Sequence, residues 1–133
     1  MAKEMIEDLP ETVHTFQLDV DGNVTKKRFL GEFTCKIPSI KDQAMIAKYE
    51  AALNGEFPVY LNAGVLKVHK QIAYLKFTLT DVPRFWRDSE GGYALRDPNV
   101  IEAVYNEVLA FEDKWMEQIW GAADDGSTEQ EES

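Results

Sequence analysis

The 133-residue chain holds one cysteine, two histidines and no apolar run of membrane-spanning length. Each scarcity removes a class of protein. A lone Cys35 closes neither an internal disulfide nor a thiolate zinc site. His14 and His69 have no further His, Cys or carboxylate cluster at ligand spacing, so no metal is expected. A membrane helix needs about 20 consecutive apolar residues, and the first ten residues, MAKEMIEDLP, lack the apolar core of a secretion signal. Positive charge is also short. Fourteen Lys and Arg face 24 Asp and Glu, for a net charge of -10. An acidic chain repels phosphate, so nucleic acid is not expected as a partner, and without a spanning run neither is a membrane.

Motifs of phosphate and acyl chemistry are missing too. Gly91-Gly92 has no following Lys-Ser/Thr and no strand before it, and there is no G-x-S-x-G elbow. Asp19-Val20-Asp21-Gly22-Asn23 suggests a calcium loop. Counting from Asp19, however, loop position 6 is Val24 rather than Gly and position 12 is Leu30 rather than Glu. No cofactor and no catalytic residue is expected. An enzyme would need His14, His69 and Glu102 to converge, and their spacing gives no reason for it.

What is present is apolar patterning. Apolar and aromatic residues make up 44% of the chain, enough for one domain. Residues 1–11 read as a loose N-terminal arm. Residues 12–120 read as a single α+β domain, and 121–133 as a disordered acidic tail. His14, Phe16, Leu18 and Val20 alternate with polar residues, which is a strand half buried. Asp21-Gly22-Asn23 follows as a tight-turn signal. Phe29, Phe33, Cys35 and Ile37 share one parity on the return strand, with Gly31 among them as a candidate bend or bulge. A two-residue turn at Asp21-Gly22 or Gly22-Asn23 pairs residues whose numbers sum to an odd value. Phe16, Leu18 and Val20 then share a face with Phe29, Phe33 and Cys35, and a slip of one residue splits the set. That parity makes Cys35 a core residue rather than a nucleophile.

Three helices follow. Ser39 and Asp42 form a capping box for a weakly apolar helix that stops at Gly55. Pro58 opens a helix of roughly 20 residues, about 30 Å long. Its stripe is Leu61, Val65, Val68, Ile72, Leu75 and Leu79, ended by Thr78 to Pro83. Residues 84–97 form a connection pinned to the core by Phe85, Trp86, Tyr93 and Leu95. Asp97 is the N-cap and Pro98 the first residue of a third helix, which carries Ile101, Val104, Tyr105, Val108, Phe111, Trp115 and Ile119 and stops at Gly121. The expected fold is a β-hairpin packed on a bundle of three helices.

Arg84-Phe85-Trp86-Arg87 mixes the basic and aromatic residues that stack on bases or anchor protein interfaces, and the charge favours a protein. Trp120 is either a staple for the fold or an exposed anchor, and the staple is favoured because burying such a ring is worth several kcal/mol. The open edges of the hairpin suit pairing with a second copy of the chain. An acidic mimic of DNA is disfavoured, because half of the net charge lies in the last 13 residues.

The order of segments carries a resemblance. A hairpin ending in F-x-C-x-I-P-S leads through GEFTCKIPSIKDQAMIAKYEAALNG into helices, then FTLTDVPRFWRD and DPNVIEAVYNEVLAFEDKW, then an acidic tail. Over roughly residues 14–120 this layout resembles the tail assembly chaperones of tailed bacteriophages. The resemblance implies a non-enzymatic protein that shields the apolar helical surface of the tape measure or tail tube protein in the host cytoplasm before the tail polymerises. It also implies a partner surface at Phe85, Trp86 and Trp120 with the stripe Leu61, Val65, Val68, Ile72, Leu75 and Leu79. The competing expectation is a structural virion component, a capsid or tail decoration protein.

Overall fold

A computed structural model describes residues 11–132, with side chains to Gly121. Two nine-residue strands, β1 (Val13–Asp21) and β2 (Arg28–Lys36), form the hairpin. Phe16 pairs with Phe33, Leu18 with Gly31 and Val20 with Phe29. The expected parity therefore holds, and Phe16, Leu18, Phe29, Phe33 and Cys35 are all buried on one face. The turn differs. Six residues, Gly22 to Lys27, connect the strands, and the Gly22 N–H donates to the Lys27 carbonyl at 2.8 Å. Gly31 is no bulge, since it sits in a regular pair. A Cβ there would lie 2.6 Å from Pro83 Cβ, so its role is to admit the segment that crosses the sheet.

Helix α1 (Ile40–Asn54) carries the expected capping box. Ser39 Oγ accepts from the Asp42 N–H, and the Asp42 carboxylate accepts from the Ser39 N–H at 2.8 Å. No residue of α1 is buried. The second helix is shorter than expected. Pro58–Tyr60 is a single 3-10 turn, and α2 spans Ala63–Thr78. Asn62 sets that start, its side chain accepting from the Val65 N–H at 2.8 Å.

The chain then adds a third strand. β3 (Leu79–Asp81) pairs antiparallel with β2 at Thr34 and Cys35, with a register irregularity between them. A three-residue strand is too short to show periodicity, and it takes part of the β2 edge. Helix α3 (Arg84–Asp88) lies within the expected connection. Helix α4 spans Pro98–Glu132, past the stop expected at Gly121. The expectation for the acidic tail falls on residues whose side chains lie outside the described set, and the N-terminal arm lies outside it up to Pro10.

The sheet packs its apolar face on α2, α3 and α4. Ile72 and Leu75, Trp86, and Val100, Ile101, Val104 and Val108 complete the core. The architecture is α+β. No helix among the described residues is long and apolar enough to cross a membrane.

Candidate functional site

The residues expected to meet a partner divide by burial. Trp86, Ile72 and Leu75 are 1–3% exposed, inside the core, so they offer nothing to a partner. Trp86 meets the ring of Phe33 edge-on at 5.4 Å. Phe85 and Leu79 are half-buried and pack against the same cluster. The reason is common to all of them: the sheet presents a wide apolar face, and burying a large side chain there is worth about 1.5–3 kcal/mol. Leu61 is half-buried and caps the 3-10 turn. Trp120 is 58% exposed, so the favoured staple role is corrected: the ring lies largely in solvent.

The chemistry-bearing residues also disperse. Cys35 is fully buried, and burial, with Glu107 and Glu112 nearby, pushes its thiol up to about 11. That thiol is no nucleophile at neutral pH. His14 stacks on Phe111 at 4.8 Å, away from His69. Asp19 is held in a two-pronged pair with Arg28, both bonds 2.9 Å, which occupies the carboxylate expected to open a calcium loop. No cluster of three or more metal-ligating side chains occurs among the described residues.

One cleft does gather polar groups. It has a volume of about 700 Å³ and lies between α2, the N-terminal part of α4 and the 89–97 connection. His69 and Gln71 are 5% and 4% exposed and line it from α2. The His69 ring is fully engaged. Its Nδ1 faces Asn54 Oδ1 and its Nε2 faces the Tyr93 hydroxyl, both at 2.9 Å. Because Asn54 Oδ1 can only accept, Nδ1 donates to it. At the rim Lys67 meets Glu102 at 2.8 Å. Hydrogen bonding to Lys67 and its positive charge lower the Glu102 pKa against the upward push of burial, and Gln71 assists. Glu102 is thus a settled carboxylate rather than a poised acid. Among the described residues, no serine, threonine or cysteine lines the cleft. His69 and Glu102 share it, and His14 does not.

A clasp between distant segments builds one wall. Asp97 was expected as an N-cap, and its carbonyl does accept from the Val100 N–H at 3.0 Å. Its carboxylate turns instead to the hairpin loop. It accepts from the Val24 and Thr25 N–H groups at 2.6 and 2.8 Å and from the Thr25 hydroxyl at 2.6 Å. Asn99 accepts from the Asn23 N–H and donates to the Asp21 carbonyl, both at 2.9 Å. A Cβ on Gly22 would fall 2.5 Å from both Asp97 oxygens, so only glycine admits the carboxylate. This clasp explains the six-residue loop: five hydrogen bonds from across the chain outweigh the local preference for a tight turn. Burial raises the Asp97 pKa, but the Thr25 and Val24 hydrogen bonds, with the charge of Lys26, outweigh it and leave the pKa lowered.

Beside the cleft, in the chain just before Asn62, three large apolar side chains face solvent. Phe57, Val59 and Tyr60 are 61%, 82% and 82% exposed, and the Phe57 and Tyr60 rings sit 5.9 Å apart. The sequence signal was the run FPVYL, which looked like the start of a helix because proline favours that position. Val65 and Val68, half-buried on the expected stripe, line the neighbouring cleft.

Compared with protein-family models, curated proteins and solved structures, the chain matches none.

Proposed function

We propose that this chain is a non-enzymatic binding protein for another polypeptide. On the resemblance described above, its role is that of a tail assembly chaperone that covers apolar helical surface of a tape measure or tail tube protein. The observation that supports this reading is the exposed group Phe57, Val59 and Tyr60. Three large apolar residues lie exposed within four positions, two of them with neighbouring rings, and clustered exposed apolar side chains mark interaction sites. Trp120, 58% exposed on α4, supplies the kind of aromatic anchor that dominates interface energies. The cleft chemistry supports binding over turnover, because its ionisable groups are paired with each other.

The test is retention of purified tape measure fragments on the immobilised chain. Retention by the wild type and its loss in a Phe57→Ser/Tyr60→Ser variant that stays folded is the expected result. No retention by the wild type refutes the chaperone reading. Stoichiometric copies of the chain in purified virions, read by mass spectrometry, would instead establish a structural component.

A further inference from the structure

Strand β1 has a partner on one side only, since the sheet runs β1-β2-β3. An antiparallel ladder alternates: every second residue of β1 turns its N–H and C=O to β2, and the residues between turn theirs outward. Bonds at the two ends of the pairing fix which are which. The Ile37 N–H donates to the Thr12 carbonyl at 2.9 Å, and the Gly22 N–H to the Lys27 carbonyl at 2.8 Å. Even-numbered residues therefore face β2, and Val13, Thr15, Gln17, Asp19 and Asp21 face outward. The last of these is occupied, because Asn99 Nδ2 donates to the Asp21 carbonyl at 2.9 Å. Among the described residues, no other hydrogen bond reaches the outward backbone groups, and Val13, Thr15, Gln17 and Asp19 are exposed.

A row of open donors and acceptors is a template for another strand, which protein edges blunt with lysine, proline or a bulge. The strand VHTFQLDVD has no lysine or proline, and its pairing with β2 is regular throughout. Its spacing suits a second copy of itself. Antiparallel pairing about a two-fold axis at Phe16 sets Val13 against Asp19, and Thr15 against Gln17, of the other copy. Each open residue then enters a hydrogen-bonded pair, and the pairing stops where Asn99 already holds Asp21. Although the chain carries a charge of -10, no carboxylate opposes a carboxylate within these pairs. Glu11 would meet Asp21 of the other copy only past the last of them. On the inner face the two Phe16 rings become cross-strand neighbours, which extends the stack of Phe16 on Phe33 at 5.4 Å across the axis.

We propose that the outer edge of β1 pairs with the same edge of a second copy, antiparallel about Phe16, joining two three-stranded sheets into one of six strands. The proposal is independent of the polypeptide-binding reading.

Sedimentation equilibrium of the full chain, with amide hydrogen exchange at high and low protein concentration, tests it. A monomer–dimer equilibrium is expected. Exchange at Val13, Thr15, Gln17 and Asp19 is expected to slow at high concentration and to recover on dilution, while the residues between them stay protected at both. Gln17→Pro removes an outward donor and no bond to β2. It is expected to weaken the dimer at least about tenfold and to leave the dilute chain folded. Val13→Glu sets a second carboxylate against Asp19 and is expected to weaken the dimer about threefold or more, whereas Val13→Lys is expected to tighten it by a similar factor. Added salt is expected to tighten it as well, because two acidic copies then repel less. A monomer at every concentration overturns the proposal. It is overturned even if a tape measure fragment slows exchange at the same four amides, since the edge then serves a different strand. A dimer that Gln17→Pro and Val13→Glu leave intact, or one whose protected amides are not this alternating set, also overturns it.

Discussion

Phe33 and Leu30 lie three residues apart on β2, on opposite faces of the sheet. Phe33 is fully buried, stacked on Phe16 at 5.4 Å with the planes 6° apart and met edge-on by Trp86. Leu30 is 55% exposed. Truncating Phe33 to Ala opens a cavity between sheet and helices and is expected to cost about 3–5 kcal/mol. Truncating Leu30 is expected to change stability by no more than about 0.5 kcal/mol. A domain of this size holds about 5–15 kcal/mol in total, so the first variant gives up a large share of that margin. Urea unfolding followed by tryptophan fluorescence separates them. With a slope of roughly 1.5–2 kcal/mol per molar urea, the Phe33→Ala midpoint falls by about 1.5–3 M. A Leu30→Ala loss as large as that of Phe33→Ala, or a Phe33→Ala loss below about 1 kcal/mol, would refute the register on which the core is built.

Acid should loosen the clasp. The Asp97 pKa is lowered in the folded state, so its contribution is complete above the ordinary aspartate range and is lost as pH falls through the folded value. Asp97→Asn is expected to be less stable than wild type at pH 7 and to lose less on acidification, read as thermal midpoint against pH. Glu112 has the opposite sign. Burial, with Asp113 beside it, raises its pKa while Tyr74 donates to it, so its linkage favours the fold below the ordinary glutamate range and fades as pH rises. Glu112→Gln is expected to match wild type in acid and to exceed it at neutral pH. The Cys35 thiol, pushed up to about 11 and fully buried, is expected to resist iodoacetamide at pH 8 in the native chain and to react completely in urea, as mass spectrometry would show.

Local chemistry was legible where a single segment decides its own state. Alternation placed Phe16, Leu18, Phe29 and Phe33 on one face, and odd-sum pairing followed from it, because a strand repeats every two residues whatever it packs on. Ser39 and Asp42 capped α1 as written, since a capping box needs only four residues in sequence. The proposed partner surface was much less legible. Periodicity places Ile72 and Leu75 on an apolar stripe, yet it does not distinguish a stripe that meets the sheet from one that meets a partner. Phe57, Val59 and Tyr60 were hidden by a proline that reads equally as a helix start and as a 3-10 turn.

The sequence by itself determined the α+β class, the hairpin parity, the cap of α1 and the acidic balance, all set by short-range sterics, hydrogen bonding and charge. Only the tertiary structure decided the rest. It turned the Asp97 carboxylate from its own helix to a hairpin loop more than 70 positions away, drew Leu79–Asp81 onto the β2 edge, and set His69 and Glu102 in one cleft while leaving His14 outside. Each of those outcomes depends on which surfaces meet once the core closes, and that contact free energy belongs to pairs of segments rather than to either one.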